Sequence, residues 1–223
     1  MTLPVFISAG TGSTSSVAWP THAAGDFGML FTETDTTSVP TPSGWTLISP
    51  FPIAHVVVNT KLQVFYRFAT SSSESNAAIS GADHAWGTIL TFSGVNPLTP
   101  LRRVATSIGG ASRTTHCADG LTTYLDDSLI VFALCWNIDN AGPLFTSIVS
   151  TDVTSPTIRY DAGTTSGDGG GLMIVTGTQA FAGYIRDGVW TISTASRACC
   201  ATIALVAVDK NFGAKSRVVN KTG

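Results

Sequence analysis

The chain has 223 residues, of which 43% are hydrophobic and only 12% are charged, with a net charge of −2. That charged share is about half of the ~25% usual in soluble domains, and the lack of a basic excess excludes a nucleic-acid-binding body. No run approaches the ~20 apolar residues of a membrane span, and the start, Met1-Thr2-Leu3-Pro4-Val5-Phe6-Ile7, has neither the basic opening nor the long apolar centre of a signal peptide.

A soluble protein made in the cytoplasm, with no export address and no membrane insertion, is therefore expected. Ser and Thr outnumber the charged residues by roughly two to one. A surface of hydroxyls with few charges is poorly protected against association. It suits a protein whose surface is used up in an assembly, and it suits an ordinary Thr-rich β domain equally well. Cys117, Cys135, Cys199 and Cys200 do not form a disulfide framework. Cys135 lies in the apolar run 129–136 and Cys199-Cys200 open another, so these three read as small buried hydrophobes in a reducing compartment. Adjacent cysteines also lack the paired spacing of a zinc site.

In chain order, residues 3–8 read as a first strand, followed by a Gly/Ser/Thr loop. Residues 26–34 follow the Gly25-Asp26 turn, with Phe27, Met29 and Phe31 on one face. Pro40 and Pro42 make 36–44 a loop or edge, because proline cannot donate to a central ladder. Short strands are predicted at 45–48 and 55–58, then long ones at 61–69 and 85–95. In the long ones Leu62, Val64, Tyr66 and Phe68, and likewise Trp86, Leu90 and Phe92, alternate as in a sheet with one buried face. The only helix candidate, a weak one, is 73–79.

Beyond the proline-bounded joint 96–100, weak strand candidates fall at 102–106 and 121–124. The nearly continuous apolar run 128–136 reads as a strand buried on both faces. Short strands follow at 145–150 and 157–160, then the glycine-rich loop 163–171, then strands at 172–176, 188–192 and 199–208. Strands at short, regular spacing indicate an all-β fold, a jelly-roll-like antiparallel sandwich. The halves 1–96 and 101–209 look alike in outline, through a structural repeat or through the composition that β-sheet proteins share. Gly25-Asp26 before 27–34 parallels Asp126-Asp127 before 128–136, and 44–48, 61–69 and 86–95 parallel 144–148, 171–178 and 199–208. One domain over 1–209 is expected, with a basic extension, 210–223.

Sites are few. His22 and Asp26 do not converge on strand and loop backbone, and His55, His84 and His116 are scattered. Glu33 at a strand end is a conceivable glycosidase acid, but such chemistry needs a second carboxylate facing it. There is no G-x-S-x-G elbow. Asp161 and Asp168 flank the glycine loop without the spacing of a calcium loop, and that loop lacks the Lys-Ser/Thr ending of a phosphate loop. Catalytic residues, metal ligands and cofactor-binding residues are thus expected to be none. Trp19 and Trp190 sit by loops and are the candidate sugar-stacking platforms. Lys210, Lys215, Arg217 and Lys221 are the candidate partner-docking residues, four of the chain's twelve basic residues.

Several of these segments together resemble a known module. They are Gly25-Asp26 before its apolar strand, Pro42-Ser43-Gly44-Trp45-Thr46, Leu62-Gln63-Val64-Phe65-Tyr66-Arg67-Phe68-Ala69, and Trp86 leading to Phe92-Ser93-Gly94-Val95. This succession is similar to the β-sandwich virion proteins of tailed bacteriophages and prophages, over residues 3–95 and more loosely to Val208. The resemblance implies a non-enzymatic structural protein on the particle surface, either a capsid-decorating cement or a tail- or fibre-associated component. It would be assembled in the host cytoplasm and work as a homo-oligomer against other virion proteins. No coiled-coil stalk or collagen-like repeat is present, so a compact block is expected rather than a shaft. The alternative is a carbohydrate-binding module for host attachment, using Trp19 and Trp190. If the tail docks on a particle, deleting residues 211–223 lowers occupancy on purified particles; unchanged occupancy refutes that role.

Overall fold

Alternating apolar side chains become strands where both the sheet and its cover can take them up. The computed structural model describes residues 3–208 except Val56, Val58, Asp83 and Asp168, and within these it contains eighteen strands and no helix. The first half supplies β1 (Val5–Ala9), β2 (Ser16–Val17), β3 (Phe27–Thr34), β4 (Thr46–Leu47), β5 (Ile53–His55), β6 (Thr60–Phe68), β7 (Ala77–Ala78) and β8 (Ala85–Ser93). The second half supplies β9 (Leu101–Ile108), β10 (Arg113–Ala118), β11 (Leu121–Thr123), β12 (Ser128–Trp136) and β13 (Phe145–Val149). It continues with β14 (Thr154–Thr164), β15 (Gly170–Gln179), β16 (Gly183–Ile185), β17 (Gly188–Ser196) and β18 (Ala198–Leu205). The expected all-β antiparallel sandwich is present.

Each half builds its own main sheet. The first has the order β1-β8-β3-β6-β4, with β5 also on β6, and the second has the order β14-β15-β12-β18-β9. In both, the first strand of the half lies beside the last, which lies beside a central strand, β3 or β12. The register is unbroken on both sides of β3 and of β12: Met29 sits between Tyr66 and Leu90, and Val131 between Thr176 and Ile203. The turns that feed the central strands also correspond. Gly25, at φ +88°, donates to the Ala69 carbonyl at 2.8 Å, and Asp127, at φ +58°, donates to that of Ala180 at 3.2 Å.

The likeness has limits. β4 extends the first main sheet beside β6, whereas β13, its expected counterpart, lies in a separate layer with β17 and β10. Residues 94–100 are not a free joint either. Val208 donates to Gly94, Asn96 to Val206 and Val206 to Pro100, each at 2.9 Å, so the end of the second half closes against the connection.

The two main sheets pack face to face around Phe27, Met29, Phe31, Leu62 and Val64 on one side and Leu129, Val131, Leu172, Ile174 and Ile203 on the other. Their outer faces are covered as well. Leu30, Phe65 and Ile89 pack beneath Val17, Val39, Trp45 and Ile79. Ile130, Phe132, Leu134 and Trp136 pack beneath Leu144, Trp190 and Ile192. This corrects the expectation of one buried face in the first half: Phe65 and Leu30 interrupt the apolar alternation because the outer face carries its own apolar layer. The helix candidate 73–79 is extended and includes β7, which pairs with β2.

Phe31 is fully buried in the inter-sheet core. Phe31→Ala should lower unfolding stability by about 3–5 kcal/mol, read as a drop in the denaturant midpoint. A drop below ~1 kcal/mol would mean the sheets do not share this core.

Candidate functional site

The sequence leaves Glu33 and His84 as unrelated residues, 51 positions apart. Strand β3 carries Glu33 and β8 begins at Ala85, and because these strands are neighbours His84 Nε2 comes to 3.0 Å from Glu33 Oε2. Thr60, at the start of β6 on the other side, donates from Oγ1 to Glu33 Oε1 at 2.9 Å. From the second half, Cys135 Sγ lies 3.7 Å from Thr60 Oγ1, and Cys199 Sγ donates to the Thr60 carbonyl at 3.6 Å. The glycine-rich loop closes the cluster: the Ser166 backbone hydrogen-bonds His84, and Gly170 lies so close to the Glu33 carboxylate that no Cβ would fit. The glycine-rich loop is the tip of the β14–β15 hairpin and lies as a lid over a polar centre, and its Gly170 is required by close approach.

The Glu33 carboxylate is 1% exposed and the His84 ring 5%. Burial pushes Glu33 above the usual carboxylate range, against the opposing hydrogen bonds from His84 and Thr60. The hydrogen bond to Glu33 raises His84 above its ordinary value, outweighing burial. Burial pushes the Cys135 thiol well up, so it is a protonated neighbour and not a thiolate nucleophile. A histidine–carboxylate pair with no activated nucleophile and no open face joins the halves. Trp86 Nε1 does the same, donating to the Tyr160 hydroxyl at 3.1 Å, with burial raising Tyr160 to about 12.

The proposed sugar platforms fare differently. Trp190 is a correction: it is fully buried in the outer core of the second half, edge-on to Phe145 with ring centroids 6.1 Å apart, and has no face to offer. Its place in β17, whose side chains alternate into the core, explains this. Trp19 is half-buried. Its ring lies against Gly28, where a Cβ would overlap it, and near Trp45 and His22 at 5.2 and 4.9 Å. It borders an open groove of about 400 Å³ with His22, Glu74 and Asn76. Glu74 is already committed there: it accepts the Thr70 hydroxyl at 2.7 Å and the Thr70 and Ser71 amides, and pairs with Arg67 at 2.7 Å, bonds that together hold its carboxyl below the usual range. Lys210, Lys215, Arg217 and Lys221 lie outside the described residues, as does Asp168.

The remaining sequence candidates are locally occupied. Asp26 accepts the Ala23 amide at 2.7 Å, and His22 Nδ1 contacts the Pro20 carbonyl at 2.7 Å. Asp161 accepts the Leu144 and Phe145 amides. Among the described residues no group of three or more His, Cys, Asp or Glu could hold a metal ion. Cys135, Cys199 and Cys200 are buried, as expected, and Cys117 is exposed.

One surface feature was missed. Phe181, Tyr184 and Tyr124 are 78%, 59% and 56% exposed, and lie in or beside the paired strands β11 and β16. Residues 121–124 were read only as a weak strand, β16 is three residues long, and Phe181 follows the 172–176 prediction without a pattern of its own. No family model, no curated protein and no solved structure matches the chain.

The pH dependence follows from two shifts of one sign. Both Glu33 and His84 hold protons more tightly folded than unfolded. Their stabilisation is full at low pH and declines as pH rises, first above the unfolded carboxylate value and then through the raised His84 value above 6.5. Glu33→Gln should flatten this slope above pH 6.5 in denaturant titrations. An unchanged slope would show that the pair does not couple to folding.

Proposed function

We infer that the chain is a non-enzymatic structural protein that works through surface contacts. On the resemblance of its first half, we assign it to a bacteriophage particle as a capsid-decorating or tail-associated component. The observation that carries this is the exposure of Tyr124, Phe181 and Tyr184 in or beside the β11/β16 pair of a chain with only 12% charged residues. Exposed large apolar side chains are individually ordinary, but three in or beside one short strand pair favour an interaction surface. Tyrosine and phenylalanine are also enriched at the energetic centres of protein contacts.

The strand order within each half supports the reading. First, last, central, then flanking strand is how the larger sheet of a jelly roll is wound, and two such units back to back make a compact building block. The polar groups most able to do chemistry are instead spent on joining the halves.

A second reading, attachment to host glycans, draws support from the half-exposed Trp19 beside its groove. Aromatic stacking would supply the contact there. Trp190 has no part in it.

If these aromatics form the contact surface, the purified protein self-associates or binds particles in a concentration-dependent way, measured by light scattering and by co-sedimentation with particles. Phe181→Ser with Tyr184→Ser should weaken that association about tenfold or more while leaving the melting temperature within a few degrees, since both side chains are exposed. A protein that stays monomeric at high concentration and never sediments with particles removes the proposal.

A further inference from the structure

Strand β9 forms the outer edge of the second main sheet, with β18 as its neighbour there. It carries two consecutive arginines, Arg102 and Arg103, both exposed. Successive residues of a strand point to opposite faces, yet both guanidiniums reach one ring. The Arg102 and Arg103 carbons lie 5.6 and 5.5 Å from the centroid of Tyr124, and Arg103 Nη2 donates to its hydroxyl at 3.3 Å. Tyr124 thereby gathers two like charges at one place. Among the described residues neither arginine has a carboxylate partner; the ion pairs belong to Arg67, His84 and Arg186.

Both arginines line an open groove of about 440 Å³ whose far wall comes from the other half: Thr46, Ser49 and Tyr66. The volume is that of a small-ligand site. One wall holds two aromatic-backed guanidiniums, whose planar forks match a carboxylate bidentately. The other wall holds Tyr66, Thr46 and Ser49 beside the apolar Leu47 and Ile48, a mix of hydroxyls and apolar surface that suits the two sides of a hydroxylated ring. We propose that this groove between β4 and β9 binds an acidic sugar, a pyranose carrying a carboxylate, with Arg102 and Arg103 on the carboxylate and the ring against Tyr66, Thr46 and Ser49. Two unpaired positive charges held together favour an anion, and the hydroxyl-bearing wall favours a sugar over a bare inorganic ion. The site is remote in sequence from Trp19 and stands whether or not the chain belongs to a particle.

The test is titration of the intact protein with glucuronic acid, N-acetylneuraminic acid, glucose and inorganic phosphate, followed by amide chemical shifts. Either acidic sugar should shift Thr46, Ser49, Leu101 and Val104 in a saturable way that weakens as salt is raised. Arg102→Ala with Arg103→Ala should weaken binding at least about tenfold, and the double lysine variant should lose part of it, because charge remains but the fork does not. The melting temperature of each variant reports folding separately. The assignment is overturned if neither acidic sugar shifts these residues, if glucose binds as well, if phosphate binds as tightly as the acidic sugars, or if a folded double alanine variant binds unchanged.

Discussion

Strands β3 and β12 are buried along their whole length, so the centre of neither main sheet meets water on either face. Transfer of apolar surface from water is the dominant favourable term in folding, and here it demands four faces of cover. The two sheets cover each other through the Phe31–Val131 core, and each half supplies its own outer layer. Everything else in the molecule follows from meeting that demand twice in one chain. The outer cover of the first half is mostly loop and short strand, while that of the second is the three-stranded β10-β17-β13 sheet.

An apolar interface between two similar sheets is a weak guide to register, because apolar contacts are non-directional. The polar groups supply direction. Glu33, Thr60 and His84 from the first half meet Cys135, Cys199 and the Ser166–Gly170 loop from the second, and Trp86 meets Tyr160. Ionised groups are costly to bury unless paired. A sliding of one sheet would strip the Glu33 carboxylate of its lid, which fixes how the halves sit. The same cost explains why groups with reactive side chains lie enclosed here.

The surface is where contact with other molecules must be made, and it divides by chemistry. The β11/β16 end carries exposed aromatic side chains. The groove between β4 and β9 offers two arginines held by Tyr124. The latter exists only because the halves pack with an edge strand of each side by side. Function at either place thus depends on the packing of the halves and not on any local motif.

Much of the architecture was legible from side-chain alternation. The strand 128–136 was read as buried on both faces and is. Strands β2, β7, β10 and β16 were not legible: two or three residues carry no period, and β10, Arg-Thr-Thr-His-Cys-Ala, has a polar face toward solvent. Trp190 was misplaced because proximity to a loop says nothing of which face of β17 it occupies. By itself, the sequence determined the all-β class and the long strands, since these rest on local periodicity. Only the tertiary structure decided that Glu33 meets His84, that glycines lid them, and that Arg102 and Arg103 converge on Tyr124, because each depends on which strands become neighbours across tens of residues.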